Sequence, residues 1–392
     1  MSKEAKIILI ISVLFTLSMG LSNMFVNILL WKKSNDFMVI AFYNLMHYIF
    51  TPITFILAGW LSKKKNGMWS LRIGILFFIT FFALILYLKD NILSYIFPLG
   101  VLFGVAAGFY WLAYHILSFD CTEENNRDTF NGYNGFSAGG ASALAPIIGG
   151  YIIQKSGNTH GYTIVFACSL VLFTVLIFVS LLLKTKIYGA KLDWSHLWGS
   201  KHSEWTRIRQ ATFVWGLRDV VIGFLIVVLI YQTTGSELSV GELSLLAAVI
   251  SSLSSLTQQK LIKPKHRIHS MFIGAAFMLV AVFGLAWNIR YSTLLVFSIV
   301  GSAATPFFMI PVSSASFNVI NGYHEDNLRT EYIINKEIVL NLGRVISTLV
   351  LMLLLKLVKQ AYVLNLYLLF LGSTQLVSMY FLRKMRIWKV SA

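Results

Sequence analysis

Apolar runs of roughly 20 residues recur along this chain, and a run of that length crosses a hydrocarbon core of about 30 Å. Twelve can be counted, over 7–30, 37–61, 68–88, 92–118, 133–154, 161–184, 212–233, 239–261, 268–287, 293–320, 332–356 and 361–382. No other feature narrows the possible folds so far. The runs are longer than the roughly 9–11 residues of a membrane β-strand, and inside lipid a helix satisfies its own backbone hydrogen bonds. The expected fold class is an all-α polytopic membrane protein with twelve transmembrane helices. Composition agrees, since 57% apolar and 12% charged residues leave too little polar surface for a water-soluble protein of this size. Met1 to Lys6 resembles the basic start of a signal peptide, but the apolar stretch behind it is too long for a cleaved leader. The first run is therefore expected to remain as a helix.

The charge distribution orients the spans. With both ends placed inside, most of the 32 lysines and arginines fall in cytoplasmic segments, among them Lys63, Lys64, Lys65 and Arg72, and Arg383, Lys384, Arg386 and Lys389. The net charge of +16 then reads as topology and contact with anionic lipid. No soluble domain is left to carry a nucleic-acid site. A multi-pass protein of the plasma membrane with both termini cytoplasmic is expected. Cys121 and Cys168 fall in a loop and inside a span, an arrangement that suggests neither a disulfide nor a metal cluster. There is no nucleotide-binding loop of the G-x4-G-K-S/T type, no H-E-x-x-H, no nucleophile elbow and no paired catalytic carboxylates. Neither an enzyme nor a cofactor is expected.

The longest polar interval, Lys184 to Gln210, divides the spans six and six. Residues 1–184 and 212–392 are expected to form two pseudo-symmetric six-helix bundles joined by a cytoplasmic linker, 185–211. Within the linker, "KLDWSHLWGS" sets Leu192, Trp194, Leu197 and Trp198 near one helical face, which suits a helix lying at the membrane surface. The halves also echo each other. "NRDTFNGYNG" before span five aligns with "NLRTEYIINKE" before span eleven, pairing Arg127 with Arg329 and Phe130 with Tyr332, as a duplicated six-helix plan would.

Span five is unusual. "NGYNGFSAGGASALAPIIGG" crowds glycine and proline into a helix, and in lipid small residues let backbones approach closely. Pro146 is expected to bend the helix near Ser142. The bare surface serves either a close-packed seam or a sliding one.

This stretch resembles the fifth-helix motif of the major facilitator superfamily, G-x8-G-x3-G-P-x2-G-G. Gly132, Pro146, Gly149 and Gly150 occupy its positions, with Ala141 and Ala145 at the two departures. The resemblance implies a twelve-helix secondary transporter and a motif that seals the halves, chiefly in antiporters and efflux proteins. A second signature of that family, G-x3-D-R-x-G-R-R between helices two and three, keeps Gly59 and the basic Lys64. It departs at Lys63, where the family has aspartate, and at Asn66, where it has glycine. The family fold places helices 1, 4, 7 and 10 around a central cavity and 2, 5, 8 and 11 beside them.

Polar groups inside the membrane are costly and therefore candidates for function, and all of the following lie on those eight helices. Arg218 and Asp219 of span seven, with Glu337 and Arg344 of span eleven, are candidates for coupling or for ion pairs that hold a gate. Adjacent residues point about 100° apart on a helix, so Asp219 and Arg344 form one possible pair. Asn23, Asn27, Asn44, His47, Trp111, Tyr114, His115, Asn318, Asn321 and Asn341 are substrate-cavity candidates, or else interhelical hydrogen bonders and packing. Gly59, Lys64, Gly132, Pro146, Gly149 and Gly150 are gating or packing candidates. The expected function is alternating-access transport of a small organic solute, proton-coupled and outward, by a monomer. Import of a nutrient or sugar, and a sensor or scaffold without flux, are the alternatives.

Overall fold

A computed structural model describes residues 1–122, 127–184, 189–199, 202–262, 266–322, 326–358 and 360–385. Among them every long element is a helix. The first six are α1 (Lys3–Ser34), α2 (Phe37–Lys64), α3 (Gly67–Leu88), α4 (Ile96–Asp120), α5 (Arg127–Ser156) and α6 (Asn158–Leu181). A 3-10 segment, Lys89–Tyr95, turns α3 back into α4. The other six are α7 (Ser203–Thr234), then α8 (Glu237–Leu261), α9 (Arg267–Trp287), α10 (Tyr291–Gly322), α11 (Arg329–Leu357) and α12 (Gln360–Leu382). By length and composition these helices are suited to cross a membrane. The side chains of Arg127 and Asn321 lie outside the described ones, as do Arg386 and Lys389.

Most helices start somewhat earlier than hydropathy places them, and α7 and α5 do so by the most. α7 begins at Ser203 rather than 212, because Glu204, Arg207 and Arg209 depress the average while Trp205, Ile208 and Ala211 on the other face are buried. Its charges are handled locally: Arg207 Nη1 lies 3.3 Å from Glu204 Oε1, one turn away. Arg218 and Asp219 consequently sit near the middle of α7 and not close to its start. α5 likewise begins at Arg127 and buries Phe130.

The chain divides into two compact units, Met1–Leu192 with Gly235–Leu245, and Asp193–Thr234 with everything described from Leu246 on. The beginning of α8 thus belongs with the first six helices, whereas the sequence assigns all of it to the second bundle. Four helix pairings recur in the two units, while the broad contact of α2 on α4 belongs to the first. In the first, α1 packs on α5 and α6, and α3 on α4 and α6; in the second, α7 packs on α11 and α12, and α9 on α10 and α12. Helices α6, α9 and α12 present apolar stripes outward, such as Val171 and Phe178, Phe272 and Phe283, and Leu366 and Phe370. Surfaces of that kind are stable in hydrocarbon and not in water.

The linker corrects another expectation. Its helix is a single turn, Ser195–Trp198, and the four apolar residues do not share a face. Leu192 and Leu197 are buried while Trp194 and Trp198 are exposed. Asp193 explains the short element: its Oδ1 accepts from the Ser195 backbone N–H at 2.9 Å and from the Ser195 hydroxyl at 2.6 Å, and Gly199 leaves the helix in extended conformation. The turn is pinned to α11. Asn335 Nδ2 donates to the Leu197 carbonyl at 2.7 Å, Trp205 Nε1 donates to Asn335 Oδ1 at 3.0 Å, and the Asp193 N–H donates to Glu331 Oε1 at 2.9 Å.

Candidate functional site

The second unit carries the densest arrangement of candidate residues. α7 and α11 cross where Gly216 faces Leu340 and Gly343 faces Phe213. A Cβ at either glycine would collide with the backbone of the other helix. This contact brings Asp219 of α7 within reach of Arg344 of α11. Arg344 donates from Nε to Asp219 Oδ2 at 2.8 Å, and its Nη2 lies 2.6 Å from the same oxygen. Its Nη1 donates to Asn341 Oδ1 at 3.1 Å and lies 3.7 Å from Glu337 Oε1. Asn341, fully buried, turns its Nδ2 to Glu337 Oε1 at 2.7 Å. Glu337, Asn341 and Arg344 share one face at spacings of four and three. The result is a guanidinium shared between two carboxylates, with a buried amide holding one of them.

Arg218 does not join this network. It is 2% exposed, and among the described residues no hydrogen-bonding group reaches its Nη1 or Nη2. Its guanidinium carbon stands 5.6 Å from the centre of the Trp215 ring. Trp215 in turn stacks on Phe308 of α10, with ring centres 5.6 Å apart and planes 12° off parallel. Just beyond, α7 widens into a π-helical turn, Val221–Leu225. The Leu217 carbonyl at that point accepts from the Ser347 hydroxyl at 2.6 Å. A side chain entering the backbone ladder and a π turn are each recognised places for a helix to bend, and π turns cluster at functional sites.

The first unit treats its polar candidates differently. Asn27 and Asn44 are both buried, and Asn44 Nδ2 donates to Asn27 Oδ1 at 2.8 Å and to the Ile40 carbonyl at 2.9 Å. This pair ties α1 to α2. Asn23 is half-buried, four residues before Asn27 on the same helix. His47 packs edge-on against Phe103, with ring centres 4.7 Å apart. Trp111, Tyr114 and His115 form an aromatic ladder on α4 whose Tyr114 hydroxyl donates to Ser12 Oγ of α1 at 3.2 Å. Asn318 is exposed on α10.

The small residues of α5 separate into two groups. A Cβ on Gly149 would lie 2.6 Å from Phe25 Cε2 and 2.7 Å from the Leu21 carbonyl, and one on Gly150 would lie 2.6 Å from the Glu237 carbonyl. Pro146 and Ala145 are buried beside them, with the Pro146 carbonyl 2.6 Å from a Cβ placed on Gly241. These residues pack. Gly132 does not, contrary to the expectation from the motif: a side chain there, or at Gly135, Gly139 or Gly140, would meet nothing within 4 Å. α5 runs through Pro146 as one helix. Gly59 is buried on α2, and Lys64 lays its ammonium 5.0 Å above the ring of Trp60, a position that leaves its charge at the helix end.

Three groups escaped the sequence reading. Gly216 and Gly343 look like ordinary membrane glycines until their backbones meet. Glu237, 4% exposed, anchors the start of α8 through Lys32 Nζ at 2.8 Å and the Tyr162 hydroxyl at 2.9 Å. Its acidic side chain two residues ahead of the eighth apolar run was the available signal. A groove of about 540 Å³ also opens between α9 and α12 beside Phe272, Leu376 and Arg383, and none of the candidate residues lines it. Among the described residues no three His, Cys, Asp or Glu side chains gather as a metal site would require.

Comparison with known proteins places this geometry in a wider set. The sequence model of the Major Facilitator Superfamily matches residues 8–346. The chain is 35% identical over 388 residues to "Uncharacterized protein YqgE" of Bacillus subtilis (strain 168), covering 98% of this chain and 90% of that protein. Two solved structures share the fold at low identity. The nucleoside transporter NupG superposes with a TM-score of 0.73 at 13% identity, over 96% of this chain and 98% of its own. The E. coli fucose:proton symporter FucP gives 0.66 at 16% identity, over 97% of each chain.

Proposed function

Since the chain belongs to the major facilitator superfamily and is a multi-pass membrane transporter of a small molecule, we propose that it exports an organic solute by alternating access coupled to protons. The carrying observation is the Asp219–Arg344–Asn341–Glu337 network on α7 and α11. A carboxylate inside a membrane protein can hold either a cation or a proton. When Asp219 takes a proton its attraction for Arg344 falls away, and the guanidinium is left to Glu337 and Asn341. Loss of the proton restores the pair. A network with two such arrangements is the bistable element that coupling requires.

The outward direction rests on the α5 motif. Ala145, Pro146, Gly149 and Gly150 pack closely on α1 and on the start of α8, the pattern associated with exporters in this family. Both termini then lie on the cytoplasmic side of a bacterial plasma membrane, as the lysine and arginine bias supports, and the monomer is the working unit. Import is the competing direction. Uptake into inverted vesicles but not into right-side-out ones is the expected result, and the opposite preference would favour import.

Asp219→Asn is expected to abolish proton-driven flux in proteoliposomes while leaving the protein folded and its yield unchanged. Proton movement at the wild-type rate in that variant would eliminate Asp219 as the carrier.

A further inference from the structure

In the second unit Arg344 donates hydrogen bonds to Asp219 and Asn341, whereas among the described residues nothing accepts one from Nη1 or Nη2 of Arg218. A buried guanidinium with unmet donors is expensive, and the neighbouring carboxylate of Asp219 attracts it but gives its close contacts to Arg344. The Trp215 face 5.6 Å away offers a cation–π contact on one side but accepts no hydrogen bond from Nη1 or Nη2. Arg344 draws on both Asp219 and Glu337, and no further carboxylate accepts from Nη1 or Nη2 of Arg218 among the described residues. Structural economy alone would place an apolar residue at 218. Its retention in a site whose helix widens into a π turn three residues later calls for an anion supplied from outside the chain.

We propose that Arg218 recognises the transported solute, and that the solute is an aromatic carboxylate. The planar fork of the guanidinium matches a carboxylate with two parallel hydrogen bonds. Trp215, half-buried beside the guanidinium and held in place by stacking on the core residue Phe308, offers an aromatic edge that a ring can meet in offset or edge-on contact. A cationic solute would meet a positive charge, and a neutral one would leave the guanidinium unanswered. The inference rests on the transporter reading above, but Arg218 acts in recognition, whereas Asp219 acts in coupling.

The test measures binding separately from transport. Radiolabelled benzoate is titrated into the purified full-length protein in nanodiscs, with benzamide as the uncharged isostere. Wild type is expected to bind benzoate saturably and to ignore benzamide. Arg218→Lys should weaken binding at least ~10-fold, since an ammonium loses the bidentate geometry, and Arg218→Gln should remove saturable binding. Asp219→Asn should still bind. In the absence of ligand Arg218→Met is expected to raise Tm, because it removes a buried charge with unmet donors; a structural arginine would do the reverse. No saturable benzoate binding by wild type, equal binding of benzamide, or undiminished binding by Arg218→Gln would each overturn the assignment. Arg218-dependent binding without any proton-driven flux would leave the assignment standing and sink the transport reading instead.

Discussion

α1 meets α5 in the first unit much as α7 meets α11 in the second, with small residues letting two backbones touch. In the first, Gly20 lies against Ala145, and Gly149 against Leu21 and Phe25; in the second, Gly216 and Gly343 lie against each other's helices. Their surroundings differ. Around the first crossing, hydroxyls return to nearby backbone: Ser18 donates to the Leu14 carbonyl at 2.7 Å, Ser22 to Ser18 at 2.8 Å, and Ser169 of α6 to Ser18 at 3.0 Å. Around the second, Arg344 reaches across to Asp219 of the facing helix and along its own helix to Glu337. One crossing is a joint, and the other is a joint that carries ions. Close packing is thus the shared scaffold, and the chemistry is an addition to one copy of it.

The largest effect that would sharpen this contrast is steric. Gly343→Val should cost about 3 kcal/mol or more, as overpacking into rigid backbone does, whereas Gly149→Ala adds a single methyl that meets the movable edge of the Phe25 ring together with one backbone carbonyl, that of Leu21, and should cost less. Yields and Tm values in detergent should therefore rank wild type, Gly149→Ala and Gly343→Val in that order; equal losses would erase the distinction between the crossings.

Next is the ion network. Arg344→Met leaves Asp219 without its cation and Glu337 with Asn341 alone, and should destabilise by roughly 2 kcal/mol, below the ~3–5 kcal/mol of a broken fully buried pair because Arg344 keeps 20% side-chain exposure. Asn44→Ala in the first unit should cost only ~0.6 kcal/mol, the average for an interhelical hydrogen bond in a membrane. A double variant of Arg344→Met with Asp219→Asn should recover part of the loss, and strict additivity would mean that the pair is not coupled.

A smaller effect has the opposite sign. Gly132→Ala enters open space in a helix, so it should stabilise by about 0.5–1 kcal/mol. If Tm rises while flux falls, the bare start of α5 serves movement; if both hold or rise, it is a dispensable glycine.

The smallest effect concerns the linker. The Asp193 carboxyl is held down to about 2, first by the Ser195 hydroxyl and with help from His196. A lowered carboxyl pKa gives stability that is fully present above its unfolded value, about 3.9, and is lost as pH falls through about 2. Protease resistance of the linker in wild type should therefore exceed that of Asp193→Asn at pH 5 to 7. The gap should close at the acid end, and a gap that does not narrow there would assign the turn's stability to Asn335 instead.

Much of the fold was legible in the sequence because lipid imposes long apolar helices on any chain that crosses it. Span count, helix class, the polar interval near residue 200 and the small-residue seam of α5 all follow from one-dimensional pattern. The candidate site was legible in part. Asp219 with Arg344 was one possible pair, and the Glu337–Asn341–Arg344 face follows from helical spacing. Which glycines pack was not legible: Gly132 and Gly149 belong to one motif, yet one faces open space and the other a phenylalanine. The linker misled because amphipathic spacing predicts a face only if a helix forms, and Asp193 with Gly199 confines it to one turn.

The sequence by itself therefore determined that the chain spans a membrane as paired sets of helices and which helices carry charge, since burial of polar backbone and ions in hydrocarbon is costly wherever the helices lie. Tertiary structure alone decided that Arg344 satisfies Asp219 and Glu337 while Arg218 is left to Trp215. That choice depends on the rotation and closeness of α7 against α11, set by contact between Gly216 and Gly343, and no periodicity along a single helix encodes the facing of two.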